Sequence, residues 1–374
     1  MVLVARYLGG QALADYGFAI SATAFFIPLL DLGMNNRLIK SVAAGEAIGQ
    51  ALSSATTYKV TVAPLVLAGM LGVGWVSPSG DVLAAVVLMG LSTLAMSLGD
   101  AANSAFKGLQ LSHVSCWLVG SLNLLLIGSL YGVLSVGHGL VSIAACYAVT
   151  RALYAIGAFV VLSRYRPNSI LLPSIRLDWV AIRSGWLHLP GIYYLGNLLY
   201  LSYLATYLVA PHEAGMFYVG YRAASATYVL VSAGFEAVLA NAVSNGRRPT
   251  GLGIWFVTYG IVALLLLYVA APAATVVFGP DYLGSIRPIR LVASCVPAFA
   301  LCGLAHTFLL AAHRERLATA GFTVLLLAGS GMAFAAQYLY GSETAALMPA
   351  VSSTLAMAWL WLSLSRHLKK LDPA

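Results

Sequence analysis

Charge is what this sequence has least of. Asp, Glu, Lys and Arg make up 9% of its 374 residues, where a soluble globular chain carries roughly 25%. A water-facing surface cannot be built from so few charges at this length. A soluble domain is therefore excluded, and a polytopic membrane protein is implied. Acidic residues are the scarcest, 12 against 20 basic ones, for a formal net charge of +8. In a membrane chain that excess reports topology first, so it does not point to nucleic acid. Only four cysteines occur, Cys116, Cys146, Cys295 and Cys302. They form no C-x-x-C and no cysteine–histidine cluster, which argues against a disulfide framework or a zinc site. P-loop, G-x-S-x-G and H-E-x-x-H motifs are missing too, as is a carboxylate pair in an exposed loop. ATP-driven pumping on this chain is excluded, and neither an enzyme nor a cofactor is expected. The first apolar run has no basic leader, so no cleavable signal peptide is visible.

What the sequence has instead is apolar runs. Hydrophobic residues supply 60% of the chain, and the mean hydropathy is +0.88. Polar breaks divide them into about eleven spans, near 16–34, 59–77, 82–106, 115–136, 139–163, 184–208, 214–240, 253–277, 286–311, 317–340 and 343–365. Met1–Leu8 precedes them as a stub too short to cross a bilayer, which takes about 20 residues. A longer reading frame is expected to supply the rest of this first helix.

The basic residues alternate by loop. Arg37, Lys40 and Lys59, then Lys107, then Arg164, Arg166, Arg176 and Arg183, then Arg247 and Arg248, then Arg314 and Arg316, then Arg366, Lys369 and Lys370 fall on one side. The other side holds Arg6, Arg287 and Arg290. By the positive-inside rule the first set is cytoplasmic, and both chain ends with it. Counting the stub, twelve helices are expected.

Two sequence pairs suggest duplication. Ala5, Tyr7, Leu8 and Ala14 match Ala205, Tyr207, Leu208 and Ala214 in register, and Gly120–Ser129 shares six of ten residues with Gly321–Ser330. The expected fold is thus all-α and polytopic. Two six-helix bundles, residues 1–168 and 169–374, would surround a central cavity as a parallel pseudo-two-fold repeat. Pro28, Pro64, Pro190, Pro272, Pro297 and Pro349 interrupt the helices, as kinks or as hinges.

Charges inside the hydrocarbon cost about 2.5–3.5 kcal/mol each on insertion scales and tend to face a cavity or a partner. Arg151 sits near the middle of its span. Arg222 lies beside Tyr218 and Tyr221, with Tyr228 further along. Both arginines are candidates for a cationic, aromatic substrate cavity, since the guanidinium fork suits phosphate. A structural pairing is the alternative. Asp31, Asp100 and Glu236 fall near the inner ends of their helices, close to Arg37, Lys107 or Arg247. They are candidates for a cytoplasmic gate of carboxylate–cation pairs, and Asp31 also for a proton or sodium site. His188 and His306 read as core histidines, and Asn123, Asn197 and Gln337 as interhelical hydrogen-bonding residues.

The run ARYLGGQALADYGFAISATAFFIPLLDLGMNNRLIKSVA (5–43) resembles the opening of the polysaccharide flippases, the Wzx-type O-antigen translocases, with their A-R-x-L-G, Tyr-Gly and D-x-G. Lys107, Gly108 and Gln110, and FGPDYLGS at Phe278–Ser285, are similar to further features of that family. The chain departs from the pattern at its start, where most of helix one is absent. The family shares a superfamily with MATE drug exporters and peptidoglycan-precursor flippases. The resemblance implies two bundles facing a central cavity in the bacterial inner membrane. It implies a substrate carried on undecaprenyl pyrophosphate, a lipid-linked oligosaccharide moved between leaflets for surface polysaccharide synthesis, and leaves proton or sodium coupling open. A MATE-like cation-coupled exporter, or a membrane enzyme of polysaccharide assembly (a polymerase, ligase or glycosyltransferase), is the competing expectation.

Overall fold

The computed structural model describes residues 2–76, 79–165, 200, 203–204, 206–208, 213–227, 252–311, 314, 316–317, 319, 331, 335 and 342–371. Among them the regular structure is helical throughout. Among the described residues six helices are long and apolar enough to cross a membrane. The chain divides into two compact units. The first comprises Met1–Phe18, Pro190–Ala242 and Arg247–Ala374, and the second Ala19–Leu189 with Val243–Gly246.

In the second unit, α1 (Val2–Ala24) contributes its last turn and a half. Pro28 then forces a restart. It has no N–H to donate back, so the helix turns at Phe25–Phe26 and resumes as the short α2, Ile27–Asp31, with proline in its first turn. Two consecutive left-handed residues, Leu32 (φ 43°) and Gly33 (φ 72°), separate α2 from α3, Met34–Ala43. Glycine adopts this conformation freely; for leucine it costs of order 1 kcal/mol or more. Helices α4 (Ile48–Trp75), α5 (Gly80–Gly108), α6 (Ser112–Ser135) and α7 (Leu140–Tyr165) follow. α5 is central, packing on α3, α4 and α7. Leu38, Val42, Ala101, Ala102, Ala105, Phe106, Ala158 and Leu162 form one buried cluster there. The alanines and Gly108 let the backbones approach: a Cβ on Gly108 would lie 2.7 Å from Val42 and 3.0 Å from the Ile39 carbonyl. α6 instead exposes Trp117, Leu124, Ile127 and Tyr131, an apolar face suited to lipid.

In the first unit, α8 (Leu252–Ala270) is followed by α9 (Ala273–Phe278), a 3₁₀ turn at Pro280–Ser285, α10 (Ile286–Ala293) and α11 (Val296–Ala311). The last helix is α12, Ser342–Leu371. Phe256, Ala300 and Leu304 pack with Tyr259, Phe308 and Trp361. Spans 253–277 and 286–311 are each broken near a proline expected to interrupt them, at Pro272 and Pro297. Pro64 lies inside an unbroken α4.

Two expectations change. Residues 9–15, which separate the stub Met1–Leu8 from the span expected at 16–34, are helical, so stub and span join in α1; only Gly9 leaves the helix, at φ 80° and ψ −176°. The span expected at 59–77 starts at Ile48, not near Lys59. Its early polar stretch stays helical because the hydroxyls bond back: Thr56 Oγ1 donates to the Leu52 carbonyl (2.9 Å) and Thr61 Oγ1 to that of Thr57 (2.8 Å).

Candidate functional site

The shifted start of α4 carries Lys59 from a loop to the interior. It stands eleven residues beyond Ile48, roughly 17 Å along the helix at 1.5 Å per residue, about half a bilayer core. Its side chain is fully buried and forms an ion pair with the equally buried Asp31, Nζ to Oδ1 3.1 Å. Nζ also donates to Asn35 Oδ1 (2.9 Å), the Ser97 carbonyl (2.8 Å) and Ser97 Oγ (3.0 Å). Four oxygens from α2, α3 and α5 thus surround one ammonium group. Ser97 lies eleven residues before Gly108, so it reaches the same depth from the end of α5.

The local fold builds this site. The break after Asp31 ends α2 and frees carbonyls that a continuous helix would use. Tyr58 Oη, one residue before Lys59, donates to the Leu29 carbonyl at 2.7 Å and so ties α4 to α2. Asp31 Oδ1 accepts the Asn35 N–H at 3.4 Å across the left-handed turn. Asp31 Oδ2 is buried without a hydrogen-bond partner. Replacing a buried ion pair by well-packed apolar residues is often neutral or stabilising, whereas removing one partner costs about 3–5 kcal/mol. Stability alone therefore does not account for the pair.

The sequence places Asp31 near the cytoplasmic end of its span and Lys59 in a cytoplasmic loop. In the structure both lie deep, because α3 continues twelve residues beyond Asp31 to Ala43. Arg37 is placed in α3 and lines a cleft of about 270 Å³ with Ser41, Glu46, Gln50 and Ser54. Asp100 accepts a hydrogen bond from Tyr154 Oη at 3.0 Å. Lys107 sits in the last turn of α5. Glu236, His188, Asn197, Gln337, Tyr228, Arg247 and the repeat segment Gly321–Ser330 lie outside the described residues.

Arg151, in the middle of α7, stands over the Tyr147 ring at 5.2 Å. Arg222 stands 6.0 Å from the ring of Tyr218. Each arginine belongs to a different unit. Tyr218 and Tyr221 are themselves buried, 1% and 4% exposed, in an aromatic cluster that holds the start of the chain. Tyr218 packs edge-on to Tyr16 and, tilted, on Tyr203; Tyr221 packs edge-on to Tyr203; Phe18 stacks on Tyr207 at 4.5 Å. Tyr203 Oη donates to the Ala14 carbonyl and Tyr207 Oη to Asp15 Oδ1, both at 2.8 Å. Gly17 is required here, since a Cβ would meet Tyr203 Oη at 2.6 Å.

No protein-family model matches the sequence, and no curated protein matches it. Solved structures do match. An outward-facing multidrug resistance MATE family transporter of the MOP superfamily superposes with a TM-score of 0.68 and 12% identity, covering 99% of this chain and 97% of the other. The chain has the MATE transporter fold. An inward-facing MATE family transporter gives 0.67 and 12% over 100% and 99%. A mutant of the Vibrio cholerae MATE transporter VcmN gives 0.65 and 15% over 99% and 93%. Two helical bundles and a multi-pass membrane protein follow from that fold, as the composition requires.

Proposed function

We propose that this protein is a secondary transporter that moves its cargo across the membrane by alternating exposure, in the manner of a MATE-like exporter. The observation that carries this is the Asp31–Lys59 ion pair, buried at mid-depth of a bundle with the MATE fold. A buried pair beside a strained turn supplies a bistable element, since its charges must be compensated in every state the bundle visits. Export of fluorescent organic cations from cells lacking their own exporters tests the reading. Asp31→Asn and Lys59→Met are expected to abolish efflux per molecule of protein in the membrane, with abundance measured alongside because each variant is also destabilised. Undiminished efflux from both variants would remove the pair from the mechanism.

A second cargo has its own support. Arg151 beside Tyr147 and Arg222 beside Tyr218 give each unit a fixed cation against an aromatic face, and the motifs at 5–43 and Phe278–Ser285 resemble those of polysaccharide flippases. An undecaprenyl-pyrophosphate-linked oligosaccharide, flipped to the outer leaflet of a bacterial inner membrane, fits these features. The repeat halves 1–168 and 169–374 belong to the same proposal, as do Asp100, Lys107, Arg37 and Glu236 as gate residues. Complementation of a flippase-deleted host separates the two cargoes: restored surface polysaccharide supports the lipid-linked one, and drug resistance without it supports the MATE-like one.

A further inference from the structure

We infer that Asp31, Asn35 and Ser97 form a monovalent-cation site, and that Lys59 is the cation the chain supplies to it. The donor set is that of an alkali-ion site. It has a carboxylate oxygen, an amide oxygen, a backbone carbonyl and a hydroxyl, all 2.8–3.1 Å from one point of positive charge. Hard oxygen ligands of this mixture suit small, hard cations. An ammonium has three N–H groups, yet four oxygens crowd Nζ, so the cage holds more acceptors than the lysine has donors. Asp31 Oδ2, on a side chain 1% exposed, adds a fifth oxygen with no hydrogen-bond partner. Three helices and a left-handed Leu32–Gly33 turn converge to build it, an arrangement more elaborate than a lysine needs in order to be neutralised.

The consequence is a tethered cation. Wild-type protein carries its charge compensation in the chain and has no requirement for sodium or potassium at this site. Shortening Lys59 leaves the carboxylate buried and opens the space its ammonium filled, so either a free cation enters or the carboxylate takes up a proton, and a cation-dependent rise in stability distinguishes the first from the second. The inference rests on the transport reading only in treating this as a coupling site. Its test reads cation binding, so a negative result leaves efflux and polysaccharide assays untouched.

The experiment uses full-length protein in detergent. Wild type, Lys59→Ala, and Lys59→Ala combined with Asp31→Asn are heated in choline, sodium, potassium or methylammonium chloride at one ionic strength. The expected result is a saturable rise in melting temperature of Lys59→Ala, roughly 3 °C at 100-fold over the dissociation constant, with sodium, potassium or methylammonium but not with choline. Wild type and the double variant should show no such rise. Radioactive sodium should bind Lys59→Ala near one ion per chain if sodium is the ion that stabilises it. Should Lys59→Ala fail to reach the membrane, Lys59→Ser, which leaves room and adds a hydroxyl ligand, is measured by the same criterion. A response absent from the single variant, or equal in all three proteins, overturns the inference.

Discussion

Arg6 donates from Nε to the carbonyl of Val277 at 2.7 Å and from Nη2 to that of Val276 at 2.6 Å. These carbonyls close the last turn of α9, where no helical N–H follows to meet them. A guanidinium is well suited there, because it offers paired donors and a positive charge at the negative end of a helix. The contact joins two segments that the sequence shows only as separate motifs, the A-R-x-L-G near the start and the F-G-P at Phe278–Pro280.

Replacing Arg6 by alanine is expected to destabilise the first unit modestly, since the site is exposed. A loss of about 1 kcal/mol, read as a fall of a few degrees or less in melting temperature, is the expected size. Arg6→Lys should recover part of it, because one ammonium cannot span both carbonyls as the fork does. An unchanged melting temperature in Arg6→Ala would mean that the carbonyls are satisfied equally well by water.

Gly17→Ala should be more damaging than its size suggests. The added methyl would press on Tyr203 Oη and on the Tyr218 ring, at 2.6 and 2.8 Å, inside a cluster with no solvent to yield. Overpacking of this kind costs about 1–3 kcal/mol. Gly120, inside α6 with open space around its Cα, is the control: Gly120→Ala should be neutral or stabilising by about 0.5–1 kcal/mol. Thermal unfolding of the two purified variants decides between crowding and a general effect of glycine.

Membrane topology offers a third measurement. The α3–α4 turn at Ala44–Ala47 and the α5–α6 turn at Leu109–Leu111 share a side if α4 and α5 each cross once. Ser79 and His138 would then share the opposite one. In a cysteine-free background, single cysteines at Glu46 and Gln110 should resist a membrane-impermeant thiol reagent in intact cells, and those at Ser79 and His138 should react. Labelling of Gln110→Cys from outside would contradict the alternation of basic loops.

Much of this architecture was legible in the run lengths. The spans 82–106, 115–136 and 139–163 differ from α5, α6 and α7 by about one to three residues at each end, because apolar stretches between polar turns have one solution in a bilayer. The deepest feature was not legible. Lys59 follows Ser53, Ser54, Thr56 and Thr57, and that polar run hides the start of α4. Hydroxyls that bond back onto their own helix make such a stretch helical while lowering its hydropathy. The signal available was Asp31 itself: a carboxylate placed deep needs a cation, and Lys59 is the one that depth, not chain proximity, selects. The role of Tyr218 and Tyr221 was likewise obscured, since their packing partners Tyr16 and Tyr203 lie on other parts of the chain.

The Asp31–Lys59 pair yields the prediction that best separates folding from mechanism. Asp31→Asn alone leaves an ammonium buried among neutral oxygens, and Lys59→Met alone leaves a carboxylate whose Oδ2 already lacks a partner. Each should cost about 3–5 kcal/mol. The combined variant buries no net or unpaired charge, and the substituted methionine side chain keeps most of the length of the lysine stem, so most of that loss should be recovered. With single costs of about 3–5 kcal/mol each and most of their sum recovered, the double-mutant cycle is then expected to give a coupling of more than about 3 kcal/mol, above the usual range for residues in contact. Stability is measured by denaturant or thermal unfolding in one detergent, and transport in the same four proteins. If the pair serves the fold alone, the double variant regains transport along with stability. If it is the element that changes state during the cycle, the double variant is stable and inactive, because a neutral site has no charge to exchange. Near-wild-type transport in the double variant would therefore retire the coupling role of Lys59 while leaving its packing role intact.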